Sequence, residues 1–267
     1  MSNCYLSTVN KTSANEVGYL EKKNADVKYL YDKTANAGNN NYTKYAKDIH
    51  DKMPKLLNGN KQGKPYCATS QLWNIAISCN WDLEKTRKVM CLDGSSDQGQ
   101  SAAGAEYLRR YFKAKGRYDK TPKVGDIIFF GKNEAEHVGR VYKVDSSKVY
   151  TEEGNTTKNG KGGYFRKSYA RTNSRIMGYG HPKYDAEPVP PKGDIMVENL
   201  EYLKKGSKGE QVKTVQRILK QMGYYKMDVD GSYGNGTVTA VKAFQKAKGI
   251  TQSGECDQAT WDKLIKG

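Results

Sequence analysis

KPYCATSQLWN, residues 64–74, sets a single cysteine between a Lys-Pro-Tyr turn and an apolar run. The run continues to Ser78 with Ala68, Leu72, Trp73, Ile75 and Ala76, the content of a buried helix that starts at Cys67. Pro65 helps to fix the entry of the chain. A thiol at a helix N-terminus lies at the positive end of the helix dipole, which favours its anion. The same residue read alone is a small buried hydrophobe, the commoner fate of a cysteine. Choosing between the two readings requires a base and a group that orients the base.

The chain has three histidines, His50, His137 and His181. His50 falls in a polar N-terminal helix and His181 precedes Pro182. His137 opens HVGRVYKV, residues 137–144, shortly after GDIIFF, residues 125–130. These two runs, with Lys148–Glu152 and Arg175–Tyr179, are short β-segments separated by Gly, Asn, Asp and Ser, and predict a small antiparallel sheet. A ring pointing off one face of that sheet can meet a helix packed on the same face. Glu153 lies on the following strand and can accept a hydrogen bond from the imidazole. Asn155, two residues on, shares its face if the strand continues, whereas Glu152 points to the opposite face. Each piece alone has an ordinary structural reading, but the order Cys, GDIIFF, His-Val-Gly, Glu-Gly-Asn is much less expected by chance.

The first 65 residues read as polar and helical, with Tyr45, Ile49 and Met53 forming a helical stripe. Ser101 is the expected N-cap of a helix running to about Lys115 and closed by Gly116. Helices followed by strands define an α+β domain. DAEPVPPKG, residues 185–193, holds three of the seven prolines and reads as a stiff linker. Beyond it, residues 209–222 and 237–248 carry apolar stripes ended by Gly223 and Gly249, and Asp257 caps a last helix with Trp261, Leu264 and Ile265. The expected organisation is an α+β domain with a polar leader over 1–184, a linker over 185–199, and a small all-α module of three helices over 200–267.

The net charge is +16. Residues 1–184 carry 32 Lys and Arg against 18 Asp and Glu, and residues 185–267 carry 13 against 11, so the basic field belongs to the first part. It favours polyanionic partners. The charge is scattered and no nucleic-acid recognition motif accompanies it, so no nucleic-acid partner is expected. The five cysteines, Cys4, Cys67, Cys79, Cys91 and Cys256, have neither the number nor the spacing of a disulfide framework or a zinc site. Reduced thiols are therefore expected. The sequence opens MSNCYLSTVNKTS, without the pattern of a signal peptide. No apolar run exceeds four residues, as in Ile127–Phe130, and no membrane association is expected.

Residues from about 60 to 184 resemble the CHAP family, cysteine- and histidine-dependent amidohydrolases and peptidases of the papain-like superfamily that cleave bacterial peptidoglycan. Tyr66-Cys67-Ala68, Gly125–Phe130, His137-Val-Gly139 and Glu153-Gly-Asn155 carry the resemblance. It implies Cys67 as nucleophile, His137 as general base and then acid, Glu153 as the orienting carboxylate and Asn155 as a further polar partner. Some members hold calcium in an Asp-rich loop before the cysteine. Here Leu57–Lys64 has no carboxylate, so no metal and no cofactor are expected. Residues 203–265 resemble a three-helix peptidoglycan-binding module through Leu203-x-x-Gly206-x-x-Gly209, Val212-x-x-Val215-Gln216, Asp230-Gly-x-Tyr-Gly234, Thr237-x-x-Ala-Val-x-x-Phe-Gln245 and Thr260-Trp261. Val212, Val215, Phe244 and Trp261 are core by spacing, and Gln216, Tyr233 and Gln245 are the candidates for ligand contact. Together the resemblances imply a monomeric peptidoglycan hydrolase of the phage-endolysin type acting on a Gram-positive wall rich in anionic teichoic acid. It would be made in the cytoplasm and released through a holin-type pore. The favoured bond is that of an N-acetylmuramoyl-L-alanine amidase, with a stem-peptide or cross-bridge endopeptidase as the alternative. A wall-binding protein without catalysis is the reading from another class.

Overall fold

The computed structural model describes residues 3–187 and 200–266. The chain divides after Glu187 into two compact units. Most of the expected Pro-rich linker, residues 188–199, lies outside the described residues. Its first three residues belong to the first unit. The Asp185 carboxylate accepts from the Cys4 amide at 2.6 Å and pairs with Lys85, while Glu187 accepts from the amide and hydroxyl of Ser7 at 2.8 and 2.7 Å.

The first unit begins with helices α1 (Leu6–Glu16), α2 (Val27–Leu30), α3 (Lys44–Lys52), α4 (Cys67–Ser78), α5 (Leu83–Val89) and α6 (Ala105–Ala114). Six antiparallel strands follow: β1 (Tyr118–Asp119), β2 (Ile127–Gly131), β3 (Ala135–Val144), β4 (Lys148–Lys158), β5 (Lys161–Ala170) and β6 (Ile176–Gly180). Their order in the sheet is β1-β6-β2-β3-β4-β5, the expected α+β arrangement. Helix α4 is buried along nearly its whole length, which explains an apolar run without a polar stripe. It packs with Tyr45 and Ile49 of α3 and Val9 of α1 against Ile127, Phe129 and Val138 of the sheet. The polar leader is thus an integral layer of the domain. The other face of the sheet gathers a smaller cluster, Ile128, Phe130, Val141, Val149 and Tyr179.

Two local expectations are corrected. Helix α6 starts after Gly104, not at Ser101. The Ser101 amide is already taken by the Asp97 carboxylate at 3.1 Å, and the Ser101 carbonyl closes a turn with the Gly104 amide at 3.0 Å. Second, Cys4 and Cys79 form a disulfide. The segment before α1 folds back onto the C-terminal end of α4, bringing together two cysteines 75 residues apart in sequence. Cys67, Cys91 and Cys256 are free and buried. Among the described residues no helix is long and apolar enough to cross a membrane.

The second unit is built from α7 (Glu210–Gln221), α8 (Asn235–Ala247) and α9 (Gln258–Lys266). Val212, Val215, Val241, Phe244 and Trp261 form its core as the spacing predicts, joined by Leu219 and Cys256. Asp257 caps α9 through the Thr260 amide at 2.8 Å.

Candidate active site

Cys67 is the first residue of α4, so its amide belongs to the turn whose N–H groups have no partner within the helix. The helix start is docked closely on β4. A Cβ added to Gly154 would lie 2.3 Å from Ser70 Oγ and 3.2 Å from the Tyr66 ring, so only glycine allows this approach. The same Ser70 hydroxyl donates back to the Cys67 carbonyl at 2.8 Å and steadies the first turn.

His137 pairs across the sheet with Phe130, and Gly139 with Ile128, so the imidazole lies on the face opposite the one that carries the body of α4. The expectation that helix and ring share a face is corrected accordingly. The helix lies against the Val138 side, and Cys67 at its N-terminus interacts with the ring and raises the His137 pKa. On the other side His137 Nε2 donates to Glu153 Oε2 at 2.9 Å. That assignment leaves Nδ1 as the ring nitrogen available to the thiol.

Glu153 is buried and held from several directions. Thr151 Oγ1 donates to Oε1, and the Tyr169 hydroxyl donates to Oε2 at 3.3 Å. Gly139 lies beneath it, where a Cβ would stand 2.5 Å from Glu153 Cγ. Glu152 faces the opposite side, as alternation predicts. It accepts from Ser13 Oγ at 2.5 Å and from Arg166 at 2.8 Å, and takes no part in the site. Burial pulls the His137 pKa down, but the hydrogen bonds and charges of Cys67 and Glu153 outweigh it. The pKa is raised from 6.5 to about 9. The ring is therefore an imidazolium at neutral pH, flanked by a sulfur and a carboxylate.

Asn155 joins the same site by a different route from the one alternation suggests. The ladder between β4 and β5 breaks between Glu153 and Thr156, and Asn155 adopts φ +55° in that bulge. It lines a cleft of about 460 Å³ together with His137, Glu153, Phe130 and Tyr169. Cys67 is buried and is not among the residues that line this cleft. Of the other histidines, His50 is exposed on α3, and His181 binds Asp126 through Nδ1 at 2.8 Å and Asp119 through Nε2 at 3.1 Å. Both stand outside the site.

Three candidates in the second unit are corrected. Gln216, Tyr233 and Gln245 are buried and committed to the fold. Gln216 Oε1 accepts from the Gly231 amide at 2.9 Å, while its Nε2 donates to Asp230 at 2.8 Å and to the Ser232 carbonyl at 3.0 Å. Gln245 repeats the device with the Gly254 amide and the Glu255 carbonyl, each at 2.9 Å. The Tyr233 hydroxyl donates to the Gly254 carbonyl at 3.1 Å. A saturated, buried side chain has no group left for a ligand. Conversely, Thr151, Tyr169 and Phe130 were absent from the expected site. Tyr169 lies on β5, a strand not read from the sequence.

Residues 58–155 match the family described as "CHAP domain", and residues 208–264 match the "Putative peptidoglycan binding domain" family. The first match falls within the first unit and the second within the second unit, and each covers less than half of the chain. It is 50% identical over 60 residues to the N-acetylmuramoyl-L-alanine amidase CwlL of Bacillus licheniformis, covering 22% of this chain and 17% of that relative. It is 36% identical over 64 residues to a spore cortex-lytic enzyme of Oceanobacillus iheyensis, covering 24% and 23% of the two chains. The chain thus spans less than a quarter of the length of these curated relatives. Among solved structures, the SleB N-terminal domain is 34% identical over 26% of this chain and 93% of its own, with a TM-score of 0.25, too low to support a statement about fold.

Proposed function

We propose that the protein is a peptidoglycan hydrolase that cleaves an amide of the bacterial cell wall through Cys67, His137 and Glu153. The observation that carries this reading is the 2.9 Å pairing of His137 Nε2 with the buried Glu153 carboxylate, on a ring whose pKa is also raised by the Cys67 thiol at the start of α4. The sulfur attacks the amide carbon, and the oxyanion that forms is met by the free Cys67 N–H. His137 gives its proton to the departing amine nitrogen as the C–N bond breaks, leaving a thioester. The neutral imidazole then takes a proton from water as its oxygen attacks the thioester. The acid is released and the sulfur is restored. Glu153 holds the ring in the orientation that both proton transfers require, and Asn155 adds a polar group at the cleft. No step calls on a metal or a cofactor.

The bond favoured is that between muramic acid and L-alanine, since one relative carries the name of such an amidase. A stem-peptide or cross-bridge endopeptidase would use the same groups. The C-terminal module would hold the enzyme on its polymer and raise its local concentration. The charge of +16 suits a Gram-positive wall bearing teichoic acid. We read the chain as a monomer of the endolysin type, reaching the wall through a holin-type pore.

Mass spectrometry of purified Gram-positive peptidoglycan, digested with native protein and with Cys67→Ser, tests the reading. New amino termini on L-alanine and peptide-free glycan strands identify an amidase, and new termini within the peptide identify an endopeptidase. Identical digests from the two proteins would leave a wall-binding protein without catalysis.

A further inference from the structure

We propose that Lys167 and Arg175 form an anion subsite beside the catalytic residues that receives a free carboxylate of the wall peptide. The inference rests on the hydrolase reading and adds a substrate determinant to it. Both side chains line the cleft that holds His137 and Glu153. Glu153 is the sole carboxylate among the lining residues, and it is buried beneath three donors. Apart from His137, the remaining polar lining, including Asn155 and Asn173, is neutral. The open part of the cleft therefore presents cations with no lining carboxylate turned towards a ligand.

The local structure leaves both cations able to bind. Lys167 stands opposite Thr151 in the ladder, two residues from Tyr169 and on the same face of β5. Its ammonium donates to the Thr157 carbonyl at 2.7 Å, which uses one of three donors. Arg175 donates to Glu136 at 2.6 Å across a surface pair whose side chains are 64% and 58% exposed. A solvated pair of this kind contributes little, and a guanidinium carries five donors, so a ligand carboxylate can share or displace Glu136. Phe130 and Tyr169, with ring centroids 4.7 Å apart, provide an apolar wall beside the cations. A cleft of about 460 Å³ accommodates a few residues of peptide. Stem peptides offer both groups this surface asks for, a scissile amide and nearby free carboxyls.

The test uses two synthetic muropeptides, identical except that one has its carboxyls converted to carboxamides. Each is titrated calorimetrically into full-length Cys67→Ser protein, and each is also offered to the native enzyme. The acid form is expected to bind about tenfold more tightly. Lys167→Gln and Arg175→Gln should each weaken the acid form about threefold to tenfold and leave the amide form unchanged. Glu136→Gln, which frees Arg175, should tighten the acid form about twofold. Equal affinity for the two peptides overturns the subsite, as does a loss in the variants that is the same for both. A native enzyme that hydrolyses both peptides with equal kcat/KM also refutes the subsite while the hydrolase reading stands. Cleavage of neither peptide and no release from whole walls would bring down the hydrolase reading, and the subsite with it.

Discussion

Glu153→Gln is the most informative single change, because it keeps shape and removes charge at a buried position. In the native protein His137 titrates at about 9 instead of 6.5. The difference corresponds to roughly 3 kcal/mol in favour of the imidazolium. Burial works against that form, so Cys67 and Glu153 supply more than the net gain between them. Removing one of the two should lower the His137 pKa by about one to two units. In the proposed mechanism the imidazolium is the form that protonates the leaving amine. Activity therefore fails as pH rises through the His137 pKa, and the alkaline limb should move from near 9 to about 7–8 in the variant. At pH 7 the rate should also fall about a hundredfold or more, since a glutamine amide can donate to Nε2 and hold the wrong tautomer.

The linkage has a stability counterpart with a definite sign. A histidine whose folded pKa is raised contributes fully below its unfolded value of 6.5 and loses that contribution as pH rises through about 9. Native protein should lose on the order of 3 kcal/mol across that window, and Glu153→Gln should lose less. Initial rates of wall solubilisation from pH 6 to 10, with urea unfolding at the same pH values, read both quantities. An alkaline limb that stays near 9 in the variant, with a rate within about threefold of native, would remove Glu153 from the site.

Gly139→Ala puts a Cβ against Glu153 Cγ and should cost about 1–3 kcal/mol together with most of the activity, read by calorimetric melting and wall lysis. His137→Ala should abolish lysis, whereas His50→Ala and His181→Ala should retain it; equal losses in all three variants would mean that the base is misassigned. Replacing Cys4 and Cys79 together by serine opens a loop closed across 75 residues and should destabilise the first unit by about 4 kcal/mol, seen as a lower urea midpoint that reductant does not lower further. EDTA should leave activity unchanged, and a loss restored by calcium would contradict the proposal of a metal-free site.

Much of this fold was legible because its signals are local. The bounds of α4 follow from the apolar run after Pro65, and four strands from short β-rich segments between turn residues. Strand β5 was missed although its signal is present. Lys158 pairs with Lys161 across Asn159-Gly160, both at positive φ, the expected two-residue hairpin turn. Its glycine-rich, charged composition concealed the strand, and Tyr169 was lost with it. The disulfide was illegible for another reason. Its partners meet only because the leader folds back on α4, a contact that spacing does not encode. Alternation put Glu153, and not Glu152, on the His137 face, where the structure also has it, yet placed α4 on the wrong face, since the face of a strand does not say which element covers it.

The glycines of the two motifs explain why the site was nonetheless readable. Gly139 follows His137 because the Glu153 carboxylate occupies the space of its Cβ, and Gly154 follows Glu153 because the first turn of α4 occupies the space of its own. His-Val-Gly and Glu-Gly-Asn thus record the close approaches that bring cysteine, histidine and carboxylate together, and motif and chemistry coincide. In the second unit they separate. Its recognisable glutamines each hold a glycine amide within a loop, so they report how the module folds and nothing of what it grips. Ligand contacts there would come from side chains the fold does not consume, not from the glutamines of the motif.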